Sequence, residues 1–188
     1  FYRDGRGVPH NATRATLLLY GAAMDGRQDA MQALEQMAPK HAPFSLFGQR
    51  LDNTERTAMR KALLAAKASL VREEDTYACD IYRVAETVPG ASELAACYGP
   101  QNAEKAAPLG FIKIDYPAPD AAHAQKVRDM VEKRFGRPTA SESANSHLWN
   151  LGTVIVATQY APELKQMALM YMVPRVYYLT RQSRAEAQ

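Results

Sequence analysis

The residues of this chain best suited to chemistry are few, and its two cysteines come first. Cys79 and Cys97 stand nine residues either side of Val88. Each sits in a short β-type run, Tyr-Ala-Cys-Asp-Ile-Tyr-Arg-Val before the turn Val88-Pro89-Gly90 and Ser-Glu-Leu-Ala-Ala-Cys-Tyr-Gly after it. In a hairpin symmetric about Val88 they face each other at the roughly 5 Å of cross-strand partners. A disulfide spans that distance. The alternative is two buried free thiols. Bonded, neither cysteine is a nucleophile, and the pair points to an oxidising compartment, for which the bacterial periplasm is the simplest choice.

The other candidates are weaker. His10, His41, His123 and His147 are scattered and make no i, i+4 metal pair. His123 reads as part of a solvated face, and His147 as a packing or hydrogen-bonding residue. Glu73-Glu74-Asp75 is a carboxylate cluster with two readings, a solvated linker or a catalytic pair, and the linker fits better. Trp149, Tyr160, Tyr171, Tyr177 and Tyr178 either line an aromatic groove or pack in a sheet core. No nucleophile elbow, P-loop or dinucleotide fingerprint occurs. The expectation is a binding protein without cofactor or metal, rather than an enzyme.

Composition sets the frame. The chain has 188 residues, 47% hydrophobic and 23% charged, enough to bury a core. Its net charge of +3 is not gathered into a block, so nucleic acid is not the expected partner. No apolar run approaches the about 18 residues of a membrane span. The chain opens on Phe1, which suggests that a leader or further N-terminal residues have been removed.

The elements that position these residues follow from periodicity and punctuation. Pro39 and Pro43 mark a boundary between residues 1–40 and a domain at 43–178, with a polar tail at 179–188. Asp52-Asn53-Thr54-Glu55 supplies capping residues for a helix whose inner face is Met59, Ala62, Leu63 and Ala66. A polar linker, Arg72-Glu73-Glu74-Asp75, leads into the cysteine hairpin. Ile112, Ile114 and Tyr116 alternate with Phe111, Lys113 and Asp115 in a third strand. The order then restarts. Asp120 caps a second helix, with Ala124, Val127, Met130, Val131 and Phe135 inward, and Gly136 ends it. A polar loop at 139–146 leads to three more strands, the last two at 154–160 and 168–173. Residues 67–82 lie on 136–151 without a gap. The expected fold is α+β: a duplicated α-β-β-β unit, halves at 43–117 and 118–178, forming one antiparallel sheet with two helices on one face.

The first 38 residues carry a more specific pattern. Tyr2, Gly5, Gly7 and Val8 are followed by Asn11, Arg14-Ala15, Leu18-Leu19, Ala22-Ala23, Gly26, Ala30 and Leu34. This resembles one Sel1-like repeat, with Asn11 where the family carries Asp, Arg14 for Lys and Leu18-Leu19 for Trp-Tyr. Asn11 can cap the following helix, and Ala15, Leu18, Leu19, Ala22 and Ala23 form its apolar stripe. A lone repeat cannot bury both faces and must lean on a neighbour. Sel1-like repeats are interaction scaffolds, and some periplasmic members are immunity proteins against type VI secretion effectors of the phospholipase or lipase kind. The resemblance implies a toxin inhibitor with a protein partner, the alternative being a non-toxin scaffold of the envelope. The candidate contacts are Arg72, Glu73, Glu74 and Asp75, the 139–146 loop with Glu142, and Tyr160 with Glu163.

Overall fold

The computed structural model describes residues 2–5, 7, 9–40, 44–101 and 106–186. Phe1, Val8, His41 and Pro43, which enter the sequence reading, lie outside them. The described chain begins with two helices, α1 (Ala12–Met24) and α2 (Gln28–Met37). Asn11 caps α1 as its side chain predicts, accepting the Arg14 N–H at 2.9 Å. A two-residue hairpin follows, β1 (Ser45–Leu46) with β2 (Gln49–Arg50), and then α3 (Arg56–Ala65). The expected side-chain cap among residues 52–55 is not made. Glu55 holds the cap position without a side-chain bond, because Asp52 is engaged by Arg50 and Thr153.

Behind α3 come β3 (Ser69–Arg72), β4 (Cys79–Arg83), β5 (Glu93–Tyr98) and β6 (Leu109–Pro117). Then α4 (Ala121–Phe135) precedes β7 (Ala140–Ser143), β8 (Ser146–Asn150), β9 (Ile155–Ala161) and β10 (Gln166–Met172). Helix α5 (Pro174–Glu186) closes the chain, so the segment read as a polar tail begins inside a helix. The eight longer strands form one antiparallel sheet in the order β3-β4-β5-β6-β10-β9-β8-β7. Each meander has four strands where the sequence predicts three. The missing ones, β3 and β7, are four-residue edge strands with irregular register. An edge strand has one hydrogen-bonded neighbour and solvent beside it, so little alternation marks it in sequence.

Alternation decides the two faces. Tyr82, Leu94, Ile112, Ile114, Tyr116, Trp149, Val156, Leu169 and Tyr171 share one core with Met59 and Leu63 of α3 and with Ala124, Val127 and Val131 of α4. The two helices thus lie on one face, as predicted. The opposite face is not bare. Cys79, Cys97, Phe111, Leu148, Ile155 and Met172 pack there against Ala23, Met24, Ala30, Met31 and Leu34 of α1 and α2.

Two inward assignments need correction. Met130 is exposed, because it lies about 100° round α4 from the centre of the buried stripe. Leu18 is exposed while Ala15 and Ala23 are buried, because the sheet meets the alanine side of α1. Helix α5 lies across β6 and the end of β5. Its Val176 and Thr180 fill the space over Gly99 and Gly110, where a Cβ would stand 2.8 Å and 2.6 Å from them.

Candidate functional site

The densest group of ionisable side chains lies between α3 and β4. Arg56 and Arg60 are one turn apart on α3, so both reach the same point on the sheet. That point is Asp80, a fully buried carboxylate on β4. Arg60 holds it with two bonds, Nε to Oδ2 at 2.8 Å and Nη2 to Oδ1 at 3.0 Å. Arg56 adds Nη2 to Oδ1 at 2.6 Å and Nε to Oδ2 at 3.2 Å. Burial alone would raise the Asp80 carboxyl; the two guanidiniums outweigh it and hold the group below the usual carboxylate range.

The same arginines strap down the segment before β4. Arg56 donates to the Glu74 and Tyr77 carbonyls, each at 2.9 Å. Arg60 pairs with Asp75 at 2.8 Å. The Tyr82 hydroxyl donates to the Glu73 carboxylate, and Tyr82 is pushed up by burial and by that bond. Tyr98, beneath Arg56, has a buried hydroxyl without a hydrogen-bond partner among the described residues, and burial raises it as well. Each Asp80 oxygen already accepts two N–H bonds, and arginine does not give up its proton. The cluster is therefore a clamp, with no lone pair left for acid–base work. Sequence reasoning missed Arg56, Arg60 and Asp80. The available signal was an i, i+4 arginine pair facing a strand with one acid among apolar residues.

The predicted contact residues fall into two groups. Arg72, Glu73, Glu74 and Asp75 end β3 and begin the strap. The Arg72 guanidinium sits over the Tyr77 ring at 4.1 Å and donates to the Cys79 carbonyl at 3.2 Å. Behind them, Cys79 pairs with Cys97 in register and the two form a disulfide, as the symmetric hairpin predicts. Leu64 on α3, Leu70 and Val71 on β3 and Tyr77 on the strap are 49, 52, 50 and 47% exposed. Four of the seven exposed large apolar side chains among the described residues thus fall within fourteen residues of chain.

Glu142, Tyr160 and Glu163 belong to the other half. Glu142 is on β7, and the loop predicted at 139–146 is this strand with its turn into β8. The Tyr160 N–H donates to the Asn145 carbonyl at 2.9 Å, and Glu163 lies in the single 3-10 turn between β9 and β10. Since β3 and β7 are opposite edges of the sheet, seven inter-strand spacings separate them, roughly 33 Å. The two groups do not form one site.

A serine and a histidine meet elsewhere. Ser141 Oγ lies 2.8 Å from His147 Nδ1, and Arg128 Nη1 contacts His147 Nε2. Arginine can only donate, so Nε2 accepts and Nδ1 carries the proton toward Ser141. A base for serine needs the reverse tautomer, so this pair is a structural bridge. His147 is pushed down by burial and by Arg128.

A cleft of about 880 Å³ opens where α2, the β1–β2 hairpin, the end of α4 and the β8–β9 turn meet. Its carboxylates are occupied, Asp52 by Arg50 at 2.6 Å and Glu35 by Arg175 at 2.8 Å. Arg134 lies on the Phe44 ring at 4.6 Å. Among the described residues no group of three or more His, Cys, Asp or Glu is placed to hold a metal ion, and no helix is long and apolar enough to cross a membrane. Compared with protein-family models, curated proteins and solved structures, the chain matches none of them.

Proposed function

We propose that this chain is a protein-binding inhibitor of the bacterial envelope, an immunity protein that covers the active site of a secreted antibacterial toxin. The surface it presents is the α3–β3 edge. One observation carries the reading: Leu64, Leu70, Val71 and Tyr77 are all exposed within fourteen residues of chain on α3, β3 and the strap, a stretch that also carries the exposed Lys67, Glu74 and Asp75. An apolar centre with a charged rim is the make-up of a protein interface. The clamp on Asp80 and the disulfide behind β3 support it, because both immobilise the strap that carries Glu74 and Tyr77. A rigid surface loses less entropy on binding.

The disulfide also supports an oxidising compartment, which we take to be the periplasm. The Sel1-like pattern of residues 1–38 supports a type VI effector, of the phospholipase or lipase kind, as the toxin. The mirrored strand order, each meander behind its own helix, supports a duplicated unit as the origin of the sheet.

The test is capture from a periplasmic extract on the immobilised chain, followed by assay of the captured protein. The expected result is one stoichiometric hydrolase, inhibited by the wild-type chain and not by Leu70→Asp. Several envelope proteins held weakly, and equally by the variant, would overturn the reading in favour of a scaffold.

A further inference from the structure

We infer that the cleft between α2, the β1–β2 hairpin and the end of α4 binds a small organic anion, a carboxylate or phosphate carried on an apolar or aromatic body. At about 880 Å³ it has the size of a small-molecule site. No described residue of α3 or β3 lines it, so it is separate from the proposed inhibitor surface and is tested apart from any toxin.

The charges lining the cleft do not balance. They are Glu35, Lys40, Arg50, Asp52 and Arg134. Both carboxylates are already answered. Arg50 holds Asp52 with two bonds, at 2.6 and 3.0 Å, and Thr153 Oγ1 donates to it at 2.7 Å. Arg175 of α5 takes Glu35 at 2.8 Å. Lys40 and Arg134 are left without an acid among the described residues, and both are exposed. The carbonyl ends of α2 and α4 border the cleft as well. Asn150 Nδ2 donates to the Leu34 carbonyl at 2.8 Å and the Trp149 indole to that of Gly136 at 2.9 Å, so these ends are bonded within the protein. Two uncompensated cations in a concave site attract an anion.

The second ground is the way Arg134 is presented. Its guanidinium lies on the Phe44 ring at 4.6 Å and on that of Phe135 at 5.5 Å. Phe44 is itself held in place, stacked on Tyr171 at 5.3 Å and edge-on to Phe135 at 5.2 Å. Among the described residues the guanidinium makes one hydrogen bond, to the Ser45 carbonyl at 3.3 Å, which leaves most of its N–H donors unused. A guanidinium resting on a ring keeps its N–H edge open. That planar fork fits two oxygens of a carboxylate or phosphate. Leu151 and Val154, with the two phenylalanine rings, supply the apolar wall for the body of the ligand.

The bonds that use up the competing groups also fix the walls. Thr153 joins the β8–β9 turn to Asp52, Asn150 joins β8 to α2, and Arg134 joins α4 to the hairpin. A preformed site loses little entropy on binding. Cations and wall together select the ligand. An anion without a body gains only charge, and a neutral ring leaves the guanidinium fork empty.

Isothermal titration calorimetry of the purified, non-reduced chain with naphthoate and naphthyl phosphate tests the inference. The expected result is one-to-one binding of both anions, weakened by added salt. Inorganic phosphate, which lacks the body, and naphthol, which lacks the charge, bind at least about tenfold more weakly. Arg134→Gln costs at least about tenfold, since it removes the fork, and Lys40→Ala about threefold. Lys133→Gln, beside Arg134 in α4 but outside the cleft, changes nothing. Circular dichroism is unchanged in all three variants, whose side chains are exposed. No saturable binding of either anion would overturn the inference, as would naphthol binding as tightly as the anions. Equal weakening by Arg134→Gln and Lys133→Gln would also overturn it, because it marks attraction to net charge alone. Vesicles of an anionic phospholipid that hold the chain through Arg134, with both free anions left unbound, would replace the small ligand with a lipid surface. The proposed inhibitor is read separately, by loss of toxin inhibition in Leu70→Asp.

Discussion

The two halves of the sheet attach their helices by different means. In the first, α3 is held to β4 by two arginines on one buried aspartate, and Cys79–Cys97 ties β4 to β5. In the second, the longer α4 lays Ala124, Val127 and Val131 on the sheet, around the buried Trp149. The Trp149 indole N–H donates to the Gly136 carbonyl at 2.9 Å, which fixes the end of α4 over β8. Hydrophobic contact is non-directional and tolerates small shifts. A buried ion cluster adds little net stability, yet it demands one geometry and leaves a large penalty when one partner is lost. In the half whose edge carries the exposed apolar side chains, the charge cluster thus adds one fixed geometry to the packing of Met59 and Leu63.

The largest effect should come from breaking the clamp. Asp80→Ala leaves two guanidiniums in a buried site without their acid, and should cost about 3–5 kcal/mol. Urea unfolding measures it. A loss below about 1 kcal/mol would mean that water reaches the cluster and the contrast between the halves is false. Replacing both cysteines with alanine frees a loop of this length and should cost about 3 kcal/mol. Mass analysis of the non-reduced protein should first show the Cys79–Cys97 link, and two free thiols would remove that prediction. In the other half, Trp149→Phe keeps most of the ring and loses the bond to Gly136, for about 1–2 kcal/mol. An equal loss for Trp149→Phe and Asp80→Ala would erase the distinction.

The smallest effect is on pH. His147 is held below its ordinary value of about 6.5. The unfolded chain therefore takes up that proton first. Stability from this group is full above about pH 6.5 and is lost as pH falls from there through the folded value. Asp80 is held below the ordinary carboxylate range. Its contribution is full above about pH 4 and is lost only in stronger acid. Mild acid should thus disturb the second half first. Trp149, the only tryptophan, lies beside His147 with ring centroids 6.5 Å apart and reports it. Its fluorescence should change while far-ultraviolet circular dichroism holds. Coincident transitions in strong acid would place both halves under one control.

Much of the framework was legible along the chain. Asn11 and Asp120 cap their helices as their side chains predict, and Gly136 ends α4 at a φ of 79°. The third strand alternates as read, with Ile112, Ile114 and Tyr116 on one face. These features depend on residues within a turn or a pleat of each other. The candidate site was legible only in part. The acids at 73–75 stood out by composition, but their roles did not. Glu73 and Asp75 are taken by Tyr82 and Arg60, and Glu74 gives its carbonyl to Arg56.

By itself, then, the sequence determined the local elements and the one long-range pair whose partners a symmetric hairpin already aligns, Cys79 with Cys97. Only the tertiary structure decided that β3 and β7 are the edges of an eight-stranded sheet, that Arg56 and Arg60 converge on Asp80, and that Leu64, Leu70, Val71 and Tyr77 remain uncovered. The reason is physical. Periodicity and capping are set by backbone geometry over a few residues. Which strand lacks a neighbour, and which charge finds a partner, depends on packing between segments far apart in the chain.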